Sequence, residues 1–394
     1  MSHELKKEYL IAIRERYRNS SKVRKSLILD EFTDVCGYSR KYAIRILNGL
    51  CEPSIESKPR GKSVKYSGEI VYHLARLWQA MGRPCSTRFK AALPEWIEHD
   101  PDPILRENAT YRGLVLEVSR SHLDRLLRPY RSVTHGKGGT RQGLSKHFRH
   151  NIPIEPKDWN VTAPGHVQSD TVAHCGDSLS GSFVNTLTVT DIHTAWTEVR
   201  AIWGKNAMRV IEGMRDIERA LPFAIHTFKS DSGSEFMNAE LCAYFRDLEA
   251  RNSQVRMIRS RPYKKNDNCY VEQKNFTHVR EIFGYERLDD PELVALMNEI
   301  YTQYWCPLQN FFCPSMKLLR KTRVGAKIKK EHDQPRTPYQ RLMECESMTE
   351  ERKEELRRLK HQLNPFKLQE SLEIKLREFS EILRRQTTGR LTAA

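Results

Sequence analysis

The 394-residue sequence lacks the features that mark membrane, secreted and disulfide-stabilised proteins. It contains no apolar run of about 18 residues or more, which excludes a membrane-spanning helix. Its first ten residues, MSHELKKEYL, carry charges where a signal peptide needs an apolar segment. Its nine cysteines are odd in number, scattered and without a CxxC pair, so a disulfide framework is not expected. We therefore expect a soluble, intracellular protein without a membrane partner.

The cysteines leave one alternative open. Cys306, Cys313 and a histidine could form a zinc site, since thiolate and imidazole are the usual ligands of this metal. Buried or reduced thiols are the simpler interpretation of the same residues.

Positive charge is abundant and unevenly distributed. Residues 1–150 contain 29 Lys and Arg against 16 Asp and Glu, a net charge of +13. Residues 151–300 contain 17 against 22, or −5, and residues 301–394 contain 20 against 12, or +8. Basic flanks around an acidic centre indicate a protein that grips a polyanion with its ends. DNA is therefore the expected partner, and the central carboxylates are available for another purpose.

The first 50 residues have the pattern of a helix-turn-helix. Apolar residues recur at helical spacing over residues 5–17, namely Leu5, Tyr9, Ile13 and Tyr17. A second helix is predicted over 25–35, ending at Gly37, and Ser39 can cap a third helix, SRKYAIRILNG. We expect Ala43, Ile44 and Leu47 of this third helix to face the core. A short turn before an Arg-bearing helix is typical of DNA-binding units.

The third helix has a counterpart further along the chain. SRKYAIRIL (39–47) and SRSHLDRLL (119–127) share Ser, two Arg and Leu in register. A capped amphipathic helix over 67–82, with Leu74 and Trp78 in the core, is predicted between them. The sequence therefore predicts a second helical DNA-binding region. The residues expected to contact DNA in the two regions are Arg40, Lys41, Arg45, Arg120 and Arg125.

From about residue 165 the sequence becomes rich in β-branched and aromatic residues. A strand is predicted around Asp170, followed by a hairpin over 182–202 with its turn near DIHTA. A helix with Met208, Ile211 and Met214 on one side then leads to a strand ending at Asp231. Two further predictions are a helix over 239–251 and an extended segment over 253–260. A last helix is predicted over 269–284, which gives the order three strands, helix, strand, helix, strand, helix.

This order places three acids where they can meet. Asp170 lies on the first strand, Asp231 ends the fourth, and Glu272 lies on the last helix. In an RNase H-like sheet these places converge at one edge. Three carboxylates there form an oxygen-rich site for divalent ions such as Mg²⁺ or Mn²⁺, and two ions can support an in-line phosphoryl transfer.

Four stretches resemble the integrase core of bacterial insertion-sequence transposases, relatives of retroviral integrase with a DDE active site. These stretches are DTVAHCG, TLTVTDIHTAWTE, SDSGSEF and RSRPYKKNDNCYVEQKN (259–275). The resemblance covers residues of about 155–320, and the last stretch is its most specific part. Carried over by position, it implies a catalytic and metal-binding triad of Asp170, Asp231 and Glu272 that holds two ions. Ser232 departs from the Asn usual in relatives, and Cys269-Tyr270 departs from the smaller or imidazole side chains expected there.

Other polar residues near the triad have simpler roles. Asp191 and Asp177 are expected in turns. Glu235 can cap or orient the following helix, with a role as a metal ligand as the alternative. His174 is expected to be a packed structural residue, and the alternative is that it orients a metal-bound water. The basic loop RSRPYKKNDN precedes Glu272, and Asn275 is directed to the same side of the helix as Glu272. The residues expected to contact DNA around this site are Arg261, Lys264, Lys265, Lys274 and Asn275.

The fold class expected is α/β, an RNase H-like mixed five-stranded sheet with flanking helices. All-α helix-turn-helix domains precede it, and a basic, mostly helical C-terminal segment follows it. In that segment Leu368, Leu372, Leu376 and Phe379 form a stripe expected to dock on the core or on a partner. The predicted domains are a helix-turn-helix (1–50), a second helical DNA-binding region (51–131), a basic Gly-rich linker (132–150), the catalytic core (151–300) and the C-terminal region (301–394).

The function predicted is that of a transposase. It would bind the terminal inverted repeats of a mobile element, cleave their 3′ ends and join them to target DNA. Synapsis of two ends requires at least a dimer, no small-molecule substrate is expected, and the expected location is the bacterial cytoplasm, at the nucleoid. The alternatives are a DNA-binding regulator with a core that does not cut, and a metal-dependent nuclease without strand transfer.

Overall fold

The structure is a computed structural model that describes residues 3–51, 65–131, 161–230, 235–236, 238–252, 255–260, 268–324 and 327–393. The chain divides into two compact units, Met1–Lys65 and Tyr66–Ala394. The predicted linker 132–150 lies outside the described residues. Among the residues that are described, no helix has both the length and the apolarity needed to span a bilayer.

The first unit contains three helices: α1 (His3–Arg18), α2 (Lys22–Cys36) and α3 (Arg40–Leu47). Gly37 ends α2 with a φ of +68°, as predicted, because this left-handed conformation favours glycine. Ala43, Ile46 and Leu47 of α3 are fully buried. The prediction for Ile44 is wrong, since its side chain is exposed. In α3 the buried face repeats at i, i+3 and i+4 from Ala43, and Ile44 falls outside this face.

The second unit begins with a helical region made of α4 (Gly68–Ala80), α5 (Ser86–Glu98), α6 (Ile104–Glu107), α7 (Ala109–Glu117) and α8 (Arg120–Leu126). Ser67 caps α4 by accepting a hydrogen bond from the Ile70 N–H, and Ser119 caps α8 by accepting one from the His122 N–H. Leu74 and Trp78 are buried, which confirms their predicted place in the core.

The sheet that follows has the predicted order of elements. These are β1 (His166–Ala173), β2 (Val184–Asp191), β3 (Thr197–Trp203), α9 (Ala207–Ala220), β4 (Thr227–Ser230), α10 (Ala239–Asn252), β5 (Arg256–Arg259) and α11 (Cys269–Lys274). The strands lie in the order β3-β2-β1-β4-β5. β1, β2 and β3 are antiparallel neighbours, whereas β4 runs parallel to both β1 and β5. This confirms the predicted RNase H-like mixed five-stranded sheet.

Two predictions about side chains in this region have opposite outcomes. Asp191 is a turn residue, as predicted: it is fully buried, and its carboxylate accepts hydrogen bonds from the Gly165 N–H at 2.9 Å and from the N–H and hydroxyl of Thr194 at 2.7 Å each. Met208 is exposed rather than packed. It precedes the apolar face of α9, which is formed by Val210, Ile211, Met214 and Ile217.

The helix that begins with α11 continues through a π-helical segment (Asn275–Arg280) and α12 (Glu281–Phe283). A second interrupted helix comprises α13 (Leu293–Glu299), a π-helical segment (Ile300–Trp305) and α14 (Cys306–Phe312). The remaining elements are β6 (Leu318–Val324), β7 (Lys327–His332), α15 (Pro338–Met343), α16 (Glu350–Gln362) and α17 (Pro365–Ala393). Leu368, Leu372 and Phe379 are buried, and the Phe379 and Phe283 rings lie 4.8 Å apart. The apolar stripe of α17 therefore docks on the core.

The outer edge of β3 is closed by two asparagine side chains. Asn310 accepts a hydrogen bond from the Thr197 N–H and donates one to the Thr197 carbonyl, both at 3.0 Å. Asn298 likewise accepts a hydrogen bond from the Ala201 N–H at 2.7 Å and donates one to the Ala201 carbonyl at 2.9 Å. Each amide satisfies one donor and one acceptor of the strand, which an open edge would leave for another strand to pair with.

Candidate active site

Asp170 lies on β1 at the centre of the sheet and is half-buried. Its Oδ2 accepts a hydrogen bond from Asn275 Nδ2 at 2.7 Å, and its Oδ1 accepts one from the Thr171 N–H at 2.8 Å. One carboxylate oxygen is therefore held by the helix that carries Glu272, and the other by the backbone of its own strand. Asn275 was predicted to lie on the same side of the helix as Glu272 and to contact DNA, and its amide lies against Asp170.

A second link joins the same strand to the same helix. Gln168 is buried on the face of β1 that it shares with Asp170, and its Oε1 accepts hydrogen bonds from the N–H groups of Tyr270 and Val271 at 3.2 and 3.4 Å. These groups belong to the first turn of α11, where backbone donors have no intrahelical partner. Asn268, the residue at the N-cap position, makes no side-chain capping bond and accepts instead from the Ser260 hydroxyl at 2.5 Å. Gln168 therefore supplies the missing cap from the strand.

A third link lies at the end of β1. Arg280 donates to the Ala173 carbonyl at 2.9 Å and to the Gly284 carbonyl at 3.2 Å. Strand β1 and the helix from Cys269 to Phe283 are thus joined at three positions along the strand, Gln168, Asp170 and Ala173. Gln168 and Arg280 were not among the predicted site residues, although the position of Gln168 two residues before Asp170 is a signal that the sequence contains.

The structure describes two of the three predicted acids. Asp170 is on β1, and Glu272 is exposed on α11, three residues before Asn275. Asp231 lies outside the described residues. The last residue of β4, Ser230, is opposite Ser169 in the parallel register of β1 and β4. Within the described part of the chain, which omits Asp231, no group of three or more His, Cys, Asp or Glu could hold a metal ion.

Glu235 is buried on the other face of the sheet from Asp170. Its carboxylate accepts from the Thr171 hydroxyl at 2.9 Å and lies 3.7 Å from Lys205 Nζ. Adjacent residues of a strand point to opposite faces, so a side chain bound by Thr171 is turned away from Asp170. Glu235 instead tethers the segment before α10 to β1.

His174 and the two cysteines considered for zinc are packed residues. His174 is fully buried, its Nε2 lies 2.8 Å from the Thr186 hydroxyl, and burial followed by the charge of Arg280 lowers its pKa to about 3. This imidazole is neutral at pH 7. Burial raises the pKa of Cys306 and raises that of Cys313 to about 12, so both are thiols.

The residues predicted to contact DNA fall into three groups. Arg40 donates to Asp30 and, at 3.0 Å, to the Ser26 hydroxyl. Lys274 is half-buried, and its pKa is lowered to about 7 by burial and then by the charges of Arg88 and Arg341. The exposed members are Arg40, Lys41, Arg45, Arg120 and Arg125, and Asn275 is half-buried like Lys274. Those outside the described residues are Arg261, Lys264 and Lys265.

Comparison with known proteins identifies a family. The chain is 38% identical over 339 residues to the uncharacterized protein y4rM of Sinorhizobium fredii, an alignment that covers 85% of this chain and 94% of that protein. The chain belongs to the same protein family as y4rM. No family model matches the sequence.

Three solved structures show some similarity to this chain. The first is the HTLV-2 integrase catalytic core domain in complex with magnesium in its dimeric form. Its sequence identity is 13%, its TM-score is 0.22, and the match covers 29% of this chain and 66% of that one. The second is the simian T-cell lymphotropic virus intasome in complex with PP2A regulatory subunit B56 gamma. Its sequence identity is 14%, its TM-score is 0.26, and the match covers 44% of this chain and 57% of that one. The third is the catalytic core domain of BIV integrase. Its sequence identity is 13%, its TM-score is 0.27, and the match covers 45% of this chain and 91% of that one. The integrase-like fold of this chain rests on its strand order and directions and not on these superpositions.

Proposed function

We propose that this protein is a transposase of the DDE type. It binds the terminal inverted repeats of a mobile element, cleaves their 3′ ends and joins them to target DNA. The observation that carries the proposal is the joining of β1 to the Glu272-bearing helix through Gln168 and Asn275. Two acids that are 102 positions apart in the sequence thereby lie on elements held together by polar contacts.

The acids proposed to act are Asp170, Asp231 and Glu272. Asp231 directly follows Ser230, whose register partner Ser169 directly precedes Asp170. Carboxylate oxygens are the ligands that Mg²⁺ and Mn²⁺ prefer, and Asp170 and Glu272 are accessible to solvent, so the donor set fits a pair of such ions. When bound, the ions would activate the attacking water or 3′-hydroxyl and stabilise the leaving oxygen. Asn275 holds one oxygen of Asp170 in a fixed direction.

DNA is proposed to be bound by the helical regions that precede the core in the sequence and by the loop that precedes α11. Lys41 and Arg45 of α3, and Arg120 and Arg125 of α8, are exposed and would contact the repeat. The domain roles are proposed as predicted, with residues 1–50 and 51–131 recognising the repeat and 151–300 acting on it. Arg261, Lys264 and Lys265 would contact phosphates close to the scissile bond. Two ends must be held together, so the active form is proposed to be at least a dimer.

The test uses a labelled duplex carrying the flanking repeat, Mn²⁺ and an unlabelled target plasmid. The wild type is compared with Asp231→Asn, with Glu272→Gln and with the control Asp177→Asn, an exposed turn acid. We expect 3′-end cleavage and joined products from the wild type and the control only. Binding of the repeat by a wild type that leaves it uncut would favour a DNA-binding regulator. Cleavage without joined products would favour a nuclease.

A further inference from the structure

Residues 318–324 and 327–332 form a two-stranded antiparallel ribbon that the sequence did not predict. β6 and β7 pair with each other from Leu318 opposite His332 to Val324 opposite Lys327. This segment contains six Lys and Arg and one Glu. Arg320, Lys329 and Lys330 are exposed, and Leu319 is 63% exposed. The ribbon is therefore a basic element that presents its described side chains to solvent.

The base of this ribbon is fixed to the core. The Asp333 carboxylate accepts from the Lys317 N–H at 2.5 Å and from Arg341 at 3.0 Å, and the Asp333 N–H donates to the Lys317 carbonyl at 3.0 Å. Arg341 is buried and also donates to the Ser315 carbonyl at 2.8 Å. Lys317 Nζ donates to the carbonyl of His193, in the turn between β2 and β3, at 2.7 Å. The ribbon thus leaves the core from a defined point.

The charges of the ribbon are mostly of one sign. A two-stranded ribbon is only marginally stable in water. The register places Arg320 opposite Glu331, the one acidic residue of the segment, whereas Lys329 and Lys330 are exposed and have no acidic residue opposite them. A polyanion bound along the ribbon would neutralise this excess of positive charge.

DNA is the polyanion that fits this shape. Seven residues of strand extend for about 23 Å, which matches the rise of about six or seven base pairs. A two-stranded ribbon is also narrow enough to enter the major groove. We propose that the two strands, residues 318–324 and 327–332, are a further DNA-binding element, which contacts the sugar–phosphate backbone without base specificity. This inference deepens the proposed function, because DNA is the substrate of that function.

The experiment measures binding of the full chain to a random-sequence duplex by fluorescence anisotropy, without divalent metal, between about 50 and 200 mM salt. The variant Lys329→Ser/Lys330→Ser removes two exposed charges from the ribbon. The control Arg358→Ser/Lys367→Ser removes two exposed charges from α16 and α17. We expect the slope of log affinity against log salt to decrease in size by about 1.8 in the ribbon variant and to be unchanged in the control. Loss of affinity should be the same for every duplex sequence.

Four results would overturn the proposal. One is a ribbon variant with the wild-type slope, and another is an equal decrease in the control. The third is a change of oligomeric state without DNA at unchanged DNA affinity, which would assign the ribbon to a second copy of the chain. The variant Lys329→Arg/Lys330→Arg keeps the charge and should keep the slope, and its failure to do so would also contradict the proposal. Because no cleavage is measured, an inactive triad would leave this result unaffected.

Discussion

Asn275 Nδ2 donates a hydrogen bond to Asp170 Oδ2 at 2.7 Å, across 105 positions of the sequence. The other amide atom, Asn275 Oδ1, is buried and has no hydrogen-bond partner among the described residues. The amide orientation is determined by the carboxylate, because an oxygen in place of Nδ2 would face the oxygen of Asp170. Asn275 is therefore a positioning residue for the proposed site.

Replacing Asn275 by Ala should lower the cleavage rate by about 10- to 100-fold, the usual effect of removing a residue that orients a metal-binding group. Affinity for the repeat should be unchanged, and the concentration of Mn²⁺ giving half-maximal rate should rise. Gln273→Ala, at an exposed position on the same helix, is the control and should cleave at the wild-type rate. If Asn275→Ala weakens repeat binding and leaves the Mn²⁺ dependence unchanged, Asn275 contacts DNA instead.

Replacing Gln168 by Leu should loosen the start of α11. The N–H groups of Tyr270 and Val271 would lose their acceptor, and a buried donor left unpaired costs about 1–3 kcal/mol. Hydrogen exchange of the amides in residues 269–274 should accelerate, and the cleavage rate should fall because Glu272 is no longer held in place. Asn206→Ala, which removes the cap of α9, should affect only the amides of α9. Unchanged exchange in residues 269–274 of Gln168→Leu would show that this cap contributes nothing.

The order of elements could be predicted because local signals specify it. The caps Ser67, Ser119 and Asn206 precede apolar residues at helical spacing, and the β-rich stretch after residue 165 shows where helices give way to strands. Asp170 and Glu272 could be proposed as partners because element order and the resemblance placed them together. Which apolar side chains of a helix face solvent was less predictable. Met208 and Ile44 have apolar side chains at positions that their helices turn to solvent.

Other contacts between distant segments could not be predicted. Asn310 meets Thr197 over 113 positions, and no local pattern distinguishes it from an ordinary surface asparagine. The ribbon of β6 and β7 was also missed, because lysine-rich segments have low strand propensity and lack alternating apolar residues. Its strands exist through their pairing and through the anchor at Asp333 and Arg341.

Replacing Asn310 by Leu should destabilise the second unit by about 2–4 kcal/mol, because Thr197 is fully buried and would lose a partner for both its N–H and its carbonyl. Urea denaturation measures the change. Asn298→Leu is the matched variant, and it should cost less because Asn298 is only half-buried and water can replace it. Equal costs would show that burial of the edge does not determine the effect.

The buried imidazole of His174 makes the stability of the second unit sensitive to acid. Burial lowers its pKa from 6.5 to about 3, so between these values the unfolded chain binds a proton that the folded protein excludes. The free energy of unfolding should therefore fall as the pH decreases through this window, by about 2 kcal/mol between pH 7 and pH 5 from this residue alone.

The variant His174→Gln removes the titrating group. Between pH 7 and pH 5, its free energy of unfolding should therefore fall by less than that of the wild type, and the difference should be this amount. Between pH 9 and pH 7 the two proteins should change in parallel, because His174 is neutral in both states over that range. Urea denaturation at the three pH values measures the difference, and equal losses between pH 7 and pH 5 would show that His174 is protonated in the folded protein.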